Sequence, residues 1–348
     1  MDEQTLFRTT HDDVVPLDDA TLSSGHERFL RQIEKRGRRA PSAPRRRMAL
    51  RIGFGAVAAG GLAAVLLVTG IIGPAGMVGG ADSAAAAVLQ DAAKATIRTS
   101  DPAVGAGQYL VVHTTAVTTI NGGLADGTVG DYQSRQTDTL YIPSSQTEKW
   151  VWVRDIPSVE KTFGPASAAV AKYWIDGIKA QGDAPEVVRG IDGNFYGTQN
   201  RYTPTFLASL PRDPRILLNR IYASTLGQGQ SADGEALVYI ADALRSAVIQ
   251  ADLRAAFYKA AILIPGVTVT DRQATLDGRT GIAIGRTEPA SKIRQDIIID
   301  PTTGLMIGER QVSYATGTDI PAGTVVEWTA ISTSVANSIP PAGTGNGQ

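Results

Sequence analysis

The chain has 348 residues, 43% of them apolar, 19% charged and 6% aromatic, with a formal net charge of −1. That length allows one large domain or two ordinary ones, and near-neutrality argues against coating nucleic acid through bulk electrostatics. The absence of cysteine excludes disulfides, thiol catalysis, thiolate zinc sites and a lipid-modified cysteine anchor, and only His11, His26 and His113 are left for imidazole chemistry.

Residues 1–51 read as a basic cytoplasmic arm, with eleven Lys/Arg against eight Asp/Glu. Ser24-Gly25-His26-Glu27 has the pattern of a capping box, and Leu22, Phe29, Leu30 and Ile33 can form an apolar stripe behind it. A short amphipathic helix is therefore expected over Ser24–Lys35. Such a helix gains stability mainly by docking on a partner or on the membrane surface; the competing reading is a disordered arm whose arginines alone matter.

Ile52 to Gly73 is a 22-residue apolar run. At the helical rise it would span about 33 Å, close to a hydrocarbon core of about 30 Å. Arg36, Arg38, Arg39, Arg45, Arg46, Arg47 and Arg51 precede it without an acidic residue among them, and the next charge is Asp82. Arginine on one flank predicts a single span at 52–73 with the N-terminus in the cytoplasm and the rest outside the cell membrane. A buried core helix of this length would rarely lack a polar face, and Thr69 is the lone polar residue of this run. Ala84-Ala85-Ala86 also offers a signal-peptide cleavage pattern, but the long arm and the long apolar run fit an uncleaved anchor better. Gly53-Phe54-Gly55-Ala56-Val57-Ala58 imitates a dinucleotide fingerprint without the strand that must precede it.

After a linker at 74–81, residues 82–337 form the predicted extracytoplasmic domain, and 338–348 a Pro/Gly/Asn-rich disordered tail. Ser83 is expected to cap a helix through about Ile97. Tyr109–Val117, Thr139–Ile142 and Trp150–Val153 then read as strands. Asp213-Pro214 starts a helix burying Leu217, Leu218 and Ile221. Leu237, Ile240, Ala241, Leu244 and Val248 form a helical stripe, and a further helix from about Asp252 to Ile264, carrying Phe257, stops at Pro265-Gly266. Val267–Thr270 is expected to pair with Thr280–Ile284 around Asp277-Gly278, and Ile293–Ile299 with Leu305–Val312 around Asp300-Pro301-Thr302-Thr303-Gly304, with Val325–Ile331 as a last strand. The expected fold class is α+β: a largely antiparallel, curved sheet with helices on one face, preceded by one transmembrane helix.

Local chemistry is sparse, and no catalytic, cofactor-binding or metal-ligating residue stands out. His113 sits mid-strand, where a structural role outweighs that of a catalytic base, and no G-x-S-x-G or H-E-x-x-H occurs. Asp192-Gly193-Asn194-Phe195-Tyr196-Gly197 opens like a calcium loop, but Tyr196 and Thr203 occupy positions that need acidic ligands, so a turn is expected. Trp150 and Trp152 face one side of their strand, as core or as a ligand platform. A carboxylate pair meeting only in the fold remains open.

The arginine-flanked span, the Ala-rich helix around Val88-Leu89, Leu210-Pro211-Arg212-Asp213-Pro214, Ala256-Phe257-Tyr258-Lys259-Ala260 running into Ile264-Pro265-Gly266-Val267, Asp300–Leu305 and Pro321-Ala322-Gly323-Thr324 together resemble a family. It comprises uncharacterised actinobacterial single-pass membrane proteins often encoded near extracytoplasmic-function sigma factors. More distantly, a helix followed by a curved antiparallel sheet is similar to lipoprotein-carrier and RseB-like sensor folds, which hold an acyl chain. The anchor, the substantial arm and the absent chemistry point to a non-enzymatic, membrane-anchored sensor or binding protein, with a lipid, peptide or protein ligand outside and a cytoplasmic partner on residues 1–51, for which the resemblance suggests an extracytoplasmic-function sigma factor. Direct sigma-factor capture by a His/Cys zinc cluster is not implied, since the arm lacks cysteine. The alternative is a cell-envelope hydrolase using convergent carboxylates.

Overall fold

The computed structural model describes residues 79–339, apart from Ser100, Asp183, 197–199 and 317–319. The arm at 1–51 with its expected helix, the predicted span at 52–73, most of the linker and the tail beyond Ile339 lie outside the described residues. Among the described residues no helix is long and apolar enough to cross a membrane.

The protein is α+β, built on a ten-stranded sheet whose ladder pairs are all antiparallel. The strands are β1 (Tyr109–Gly123), β2 (Val129–Pro143), β3 (Lys149–Arg154), β4 (Ser158–Thr162), β5 (Glu186–Ile191), β6 (Thr268–Leu276), β7 (Arg279–Glu288), β8 (Ile293–Ile299), β9 (Met306–Ser313) and β10 (Thr324–Ala336). Their spatial order is β5-β3-β2-β1-β10-β9-β8-β7-β6, with β4 also paired to β2. The last strand in sequence therefore lies between the first strand and the C-terminal meander. The helices are α1 (Ser83–Arg98), α2 (Pro165–Lys179), α3 (Pro204–Ala208), α4 (Pro214–Ser224), α5 (Ala232–Arg245) and α6 (Ala251–Ile262).

Most of the helical mass covers one face. Leu89 of α1, Leu217 and Ile221 of α4, Leu237, Ile240 and Leu244 of α5, and Phe257 of α6 form one core with Ile264, Ile284, Ile297, Ile299 and Ile331. The expected α5 stripe does face the sheet, while Val248 lies beyond the helix and is only partly buried. Two buried polar groups lock this layer. The guanidinium of Arg254 donates to Thr96, to the Ile249 carbonyl at 2.7 Å and to Asp101 at 2.6 Å, and Tyr258 donates to the Gly304 carbonyl at 2.8 Å.

The opposite face is buried by the sheet itself. Ala274, Leu276, Ala283, Ile298, Ile307 and Ala330 cluster there with Trp328 against them. Leu276 lies so close to Gly308 that a Cβ on that glycine would approach its Cδ2 to 2.6 Å. Beyond it, Arg279 donates to the Ile331 carbonyl at 2.8 Å, and Asp277 pairs with Arg135 of β2 at 2.9 Å. The β6–β7 hairpin thus reaches strands that are not its ladder neighbours, which requires a curled sheet. Burial along β1 changes parity accordingly: Leu110 and Val112 are buried at its start, then Thr115, Val117 and Thr119.

Several expectations need adjustment. The cap of α1 is Asp82, whose side chain accepts from the Ala85 amide at 2.7 Å, so Ser83 is the first helical residue. Ile97, near the end of α1, is 55% exposed, because Ala92, Ala93, Ala95 and Thr96 carry the contact. The helix expected to end at Ile264 ends at Ile262, and β1 and β2 are each 15 residues long. No local pattern in the sequence predicts α2, α3, β4 or β5. In α2 the buried face is only Ser167, Val170, Ala171 and Ile175, while Tyr173 and Trp174 point outward and blur the pattern.

Candidate functional site

The residues singled out from sequence do not converge. His113 is exposed on β1, with Nδ1 3.3 Å from the Thr139 hydroxyl of the neighbouring strand. Asp192 and Gly193 form a turn at positive φ, with the Asp192 carbonyl bound by Asn200 at 3.0 Å. Trp150 is core, 3% exposed and donating its indole N–H to the Gln146 carbonyl. Trp152 lies 5.3 Å from the Phe195 ring, under the Arg154 guanidinium at 4.6 Å. Among the described residues no group of three or more His, Cys, Asp or Glu could hold a metal ion.

A cluster of charged groups does converge where α5 crosses β8, β9 and β10. A cavity of about 80 Å³ is lined there by Asp242 and Arg245 from the helix and by Gln295, Glu309, Gln311, Glu327 and Thr329 from the strands. The register explains the set. Glu309 is directly opposite Ile297 and Thr329, and Gln311 is opposite Gln295 and Glu327. Residues opposed across a ladder, and residues two apart along a strand, share a face. All five strand residues therefore point to the side that carries Ile297 and Ile331 of the helix-covered core.

Arg245 is the centre of the cluster. Its Nε lies 3.1 Å from Glu309 Oε1, and its Nη2 lies 2.6 Å from Asp242 Oδ1. Gln295 donates from Nε2 to Glu309 Oε2 at 2.9 Å, so both Glu309 oxygens are occupied. Gln295 is 9% exposed, and its Oε1 is buried without a partner. Burial pushes the Glu309 carboxyl up to about 7; Arg245 and the Gln295 bond oppose that rise, whereas Asp242 and Glu327 add to it. Burial also raises Glu327, again against Arg245 and with Asp242. For Arg245 burial disfavours the charge, but Glu309 and Asp242 more than offset it and keep the guanidinium protonated. Three carboxyl groups thus share the Arg245 cation in a small polar cavity, while Arg310, also in its lining, pairs with Asp296 on the other face.

A second ionic cluster, on the other face, is closed. Asp296 is fully buried and accepts from Arg294 Nε, Arg310 Nε and the Thr270 hydroxyl at 2.8–2.9 Å, and Arg310 continues to Asp271 at 3.2 Å. Its lone pairs are filled, so it ties β6, β8 and β9 together and offers no ligand an opening. A second cavity, also about 80 Å³, is lined by Leu207, Leu253, Val248 and Arg212. There Arg212 is committed to the Leu210 carbonyl at 2.6 Å and to Asp252 at 2.8 Å.

None of Asp242, Arg245, Gln295, Glu309 or Glu327 was marked in the sequence. A signal existed in Glu309-Arg310-Gln311, whose alternation sends acid and amide to one face and the cation to the other. It carried no direction, because both faces of this sheet are buried.

No protein-family model matches the chain, and no curated protein matches it. Among solved structures, a DUF1329 family protein from Desulfovibrio piger aligns over 73% of this chain and 93% of its own, at 8% identity and a TM-score of 0.19. Likeness at that level carries no argument about either fold or function.

Proposed function

We propose that this protein is a membrane-anchored, extracytoplasmic binding or sensor protein, with the Arg245–Glu309 cavity as its recognition site and the arm at 1–51 as its cytoplasmic reporter. One observation carries the binding role: an acid-rich cavity with a buried, unpartnered Gln295 carbonyl oxygen in its wall. Unfilled polar capacity of this kind is costly to keep unless something occupies it.

The anchor rests on the apolar run at 52–73 and its arginine flank. In support of a short, stiff connection, the Ala81 amide donates to the Ile262 carbonyl at 2.8 Å and the Asp82 amide to the Val267 carbonyl at 2.9 Å. The linker is thus tied into the domain before α1 begins. A lipid or peptide ligand would present a compact polar group to this cavity, since about 80 Å³ is well below the roughly 300 Å³ at which sites for whole small molecules begin. The candidate inner partner is an extracytoplasmic-function sigma factor.

A second reading, a cell-envelope hydrolase, is favoured by one observation: Glu309, with its raised pKa, shares the cavity with Glu327. It ranks second because a general acid must offer a free O–H, and both Glu309 oxygens are already engaged. Co-purification with the full-length chain tests the sensor reading. Wild type is expected to retain a specific cytoplasmic protein that Phe29→Ala plus Ile33→Ala loses; equal recovery by both, or none by either, removes the reporter role.

A further inference from the structure

We propose that the cavity beneath the C-terminal end of α5 binds the primary ammonium group of a small organic cation. The inference rests on the reading of the external domain as a binding domain, and names the ligand chemistry of that site.

The groups that line the cavity decide the sign of the ligand. The Arg245 guanidinium is committed to Glu309 at 3.1 Å and to Asp242 at 2.6 Å. What stays available is the Glu327 carboxyl and the buried Gln295 Oε1 atom, which only accept, beside the Gln311 amide and the Thr329 hydroxyl, which can donate or accept. Gln295 is 9% exposed, and its amide cannot turn over to offer a donor without losing the bond from Nε2 to Glu309. The two groups that only accept, one of them a carboxyl, favour a ligand that brings donors and positive charge, and the Gln311 and Thr329 side chains can turn to accept from it. A primary ammonium brings three N–H donors and no acceptor. The second guanidinium of the lining, Arg310, is paired with Asp296 and Asp271 on the other face, so a carboxylate or phosphate would meet three carboxyl groups against the Arg245 guanidinium alone, which is repulsive at short range in a poorly solvated site.

Size and surroundings narrow the class further. About 80 Å³ admits a head group and the first carbons behind it. The aromatic member of the lining, Trp328, turns its ring to the other face, where Arg135 lies 5.5 Å from the centroid. No aromatic cage therefore faces the cavity from that residue, and quaternary ammonium groups are recognised through such cages. Hydrogen-bonded recognition of a primary ammonium is the chemistry these residues support.

The groups facing Glu309 are Arg245 and Asp242 from α5, Gln295 from β8 and Glu327 from β10. A bound cation stabilises the ionised form of Glu309, so by linkage its affinity grows as pH rises through the titration of that group.

The test is calorimetric titration of the full-length chain in phosphatidylcholine/phosphatidylglycerol nanodiscs, with empty nanodiscs subtracted. The probes are n-propylammonium chloride, propionamide and sodium propionate at matched ionic strength. Wild type is expected to bind propylammonium saturably, more tightly at about pH 8 than at about pH 6, and to lose about tenfold or more in affinity in Glu327→Gln. Melting is followed in parallel, and Asp242→Asn replaces Glu327→Gln if that variant does not fold. Binding of propionate or propionamide without propylammonium overturns the cation assignment and leaves a binding domain standing. Equal binding of propylammonium by wild type and variant places the ligand elsewhere and overturns it. Failure of all three probes removes the site as a recognition site altogether.

Discussion

Gly304 and Glu309 show how single positions constrain this domain. Gly304 ends the Asp300–Gly304 turn at a φ of 68°, and a Cβ there would lie 2.4 Å from the Ala92 carbonyl oxygen and 2.6 Å from the Thr96 amide nitrogen of α1. Gly278, in the β6–β7 turn, has a φ of 77° with nothing near the Cβ position. Replacing each by alanine separates strain from collision. Gly278→Ala should cost about 1 kcal/mol from the left-handed backbone alone. Gly304→Ala should cost at least about 2 kcal/mol, since helix backbone cannot move aside as a side chain would. Equal melting temperatures for the two variants would mean that the turn does not pack on α1 as described.

Glu309 makes a pH prediction at the same scale. Its folded pKa of about 7 lies above the ordinary value of 4.5. Between those values the folded state holds more protons than the unfolded one, so stability from this group falls as pH rises through the window. Glu309→Gln is expected to flatten that decline between about pH 4.5 and about pH 7 relative to wild type. Parallel melting curves for the two proteins across that range would show that Glu309 titrates normally.

Among the elements, α5 binds the core to the candidate site, because one face carries Leu237, Ile240 and Leu244 while its last turn carries Asp242 and Arg245. Leu244 is 4% exposed, and Leu244→Ala should destabilise the domain by about 2–5 kcal/mol. An unmoved melting temperature would show that this face of α5 had been misassigned. The stripe on α5 was legible because Leu237, Ile240, Ala241 and Leu244 keep a helical period beside charged positions. The Asp213 cap of α4, the two hairpins of the C-terminal meander and the Pro265-Gly266 stop were legible for similar local reasons. β4 is exposed along its whole length, so no burial pattern could have revealed it. The site was hidden for a different cause. Glu309 and Glu327 come from strands that become neighbours through the ladder, and inward-facing charges on strands read like solvent-facing ones.

Three of the loop motifs act here as joints. Arg212 of Leu210–Pro214 holds carbonyls at the end of α3, Gly304 seats the Asp300–Leu305 turn on α1, and Ile264–Val267 receives the Asp82 amide. They fasten the linker end, α1, α6 and the meander to one another.

At the scale of the whole molecule, the proposed topology places the apolar run at 52–73 between an arm inside the cell and a binding domain outside it. The chain contains no cysteine, so a single introduced thiol reports on one place only. Leu226, 84% exposed after α4, and Thr10, in the arm, are suitable positions. The direct test is labelling of intact, wall-stripped cells with a membrane-impermeant maleimide. Leu226→Cys should be labelled without lysis, and Thr10→Cys only after the membrane is opened. Protection of Leu226→Cys in intact cells, or labelling of Thr10→Cys in them, would contradict an anchored protein with its binding domain outside.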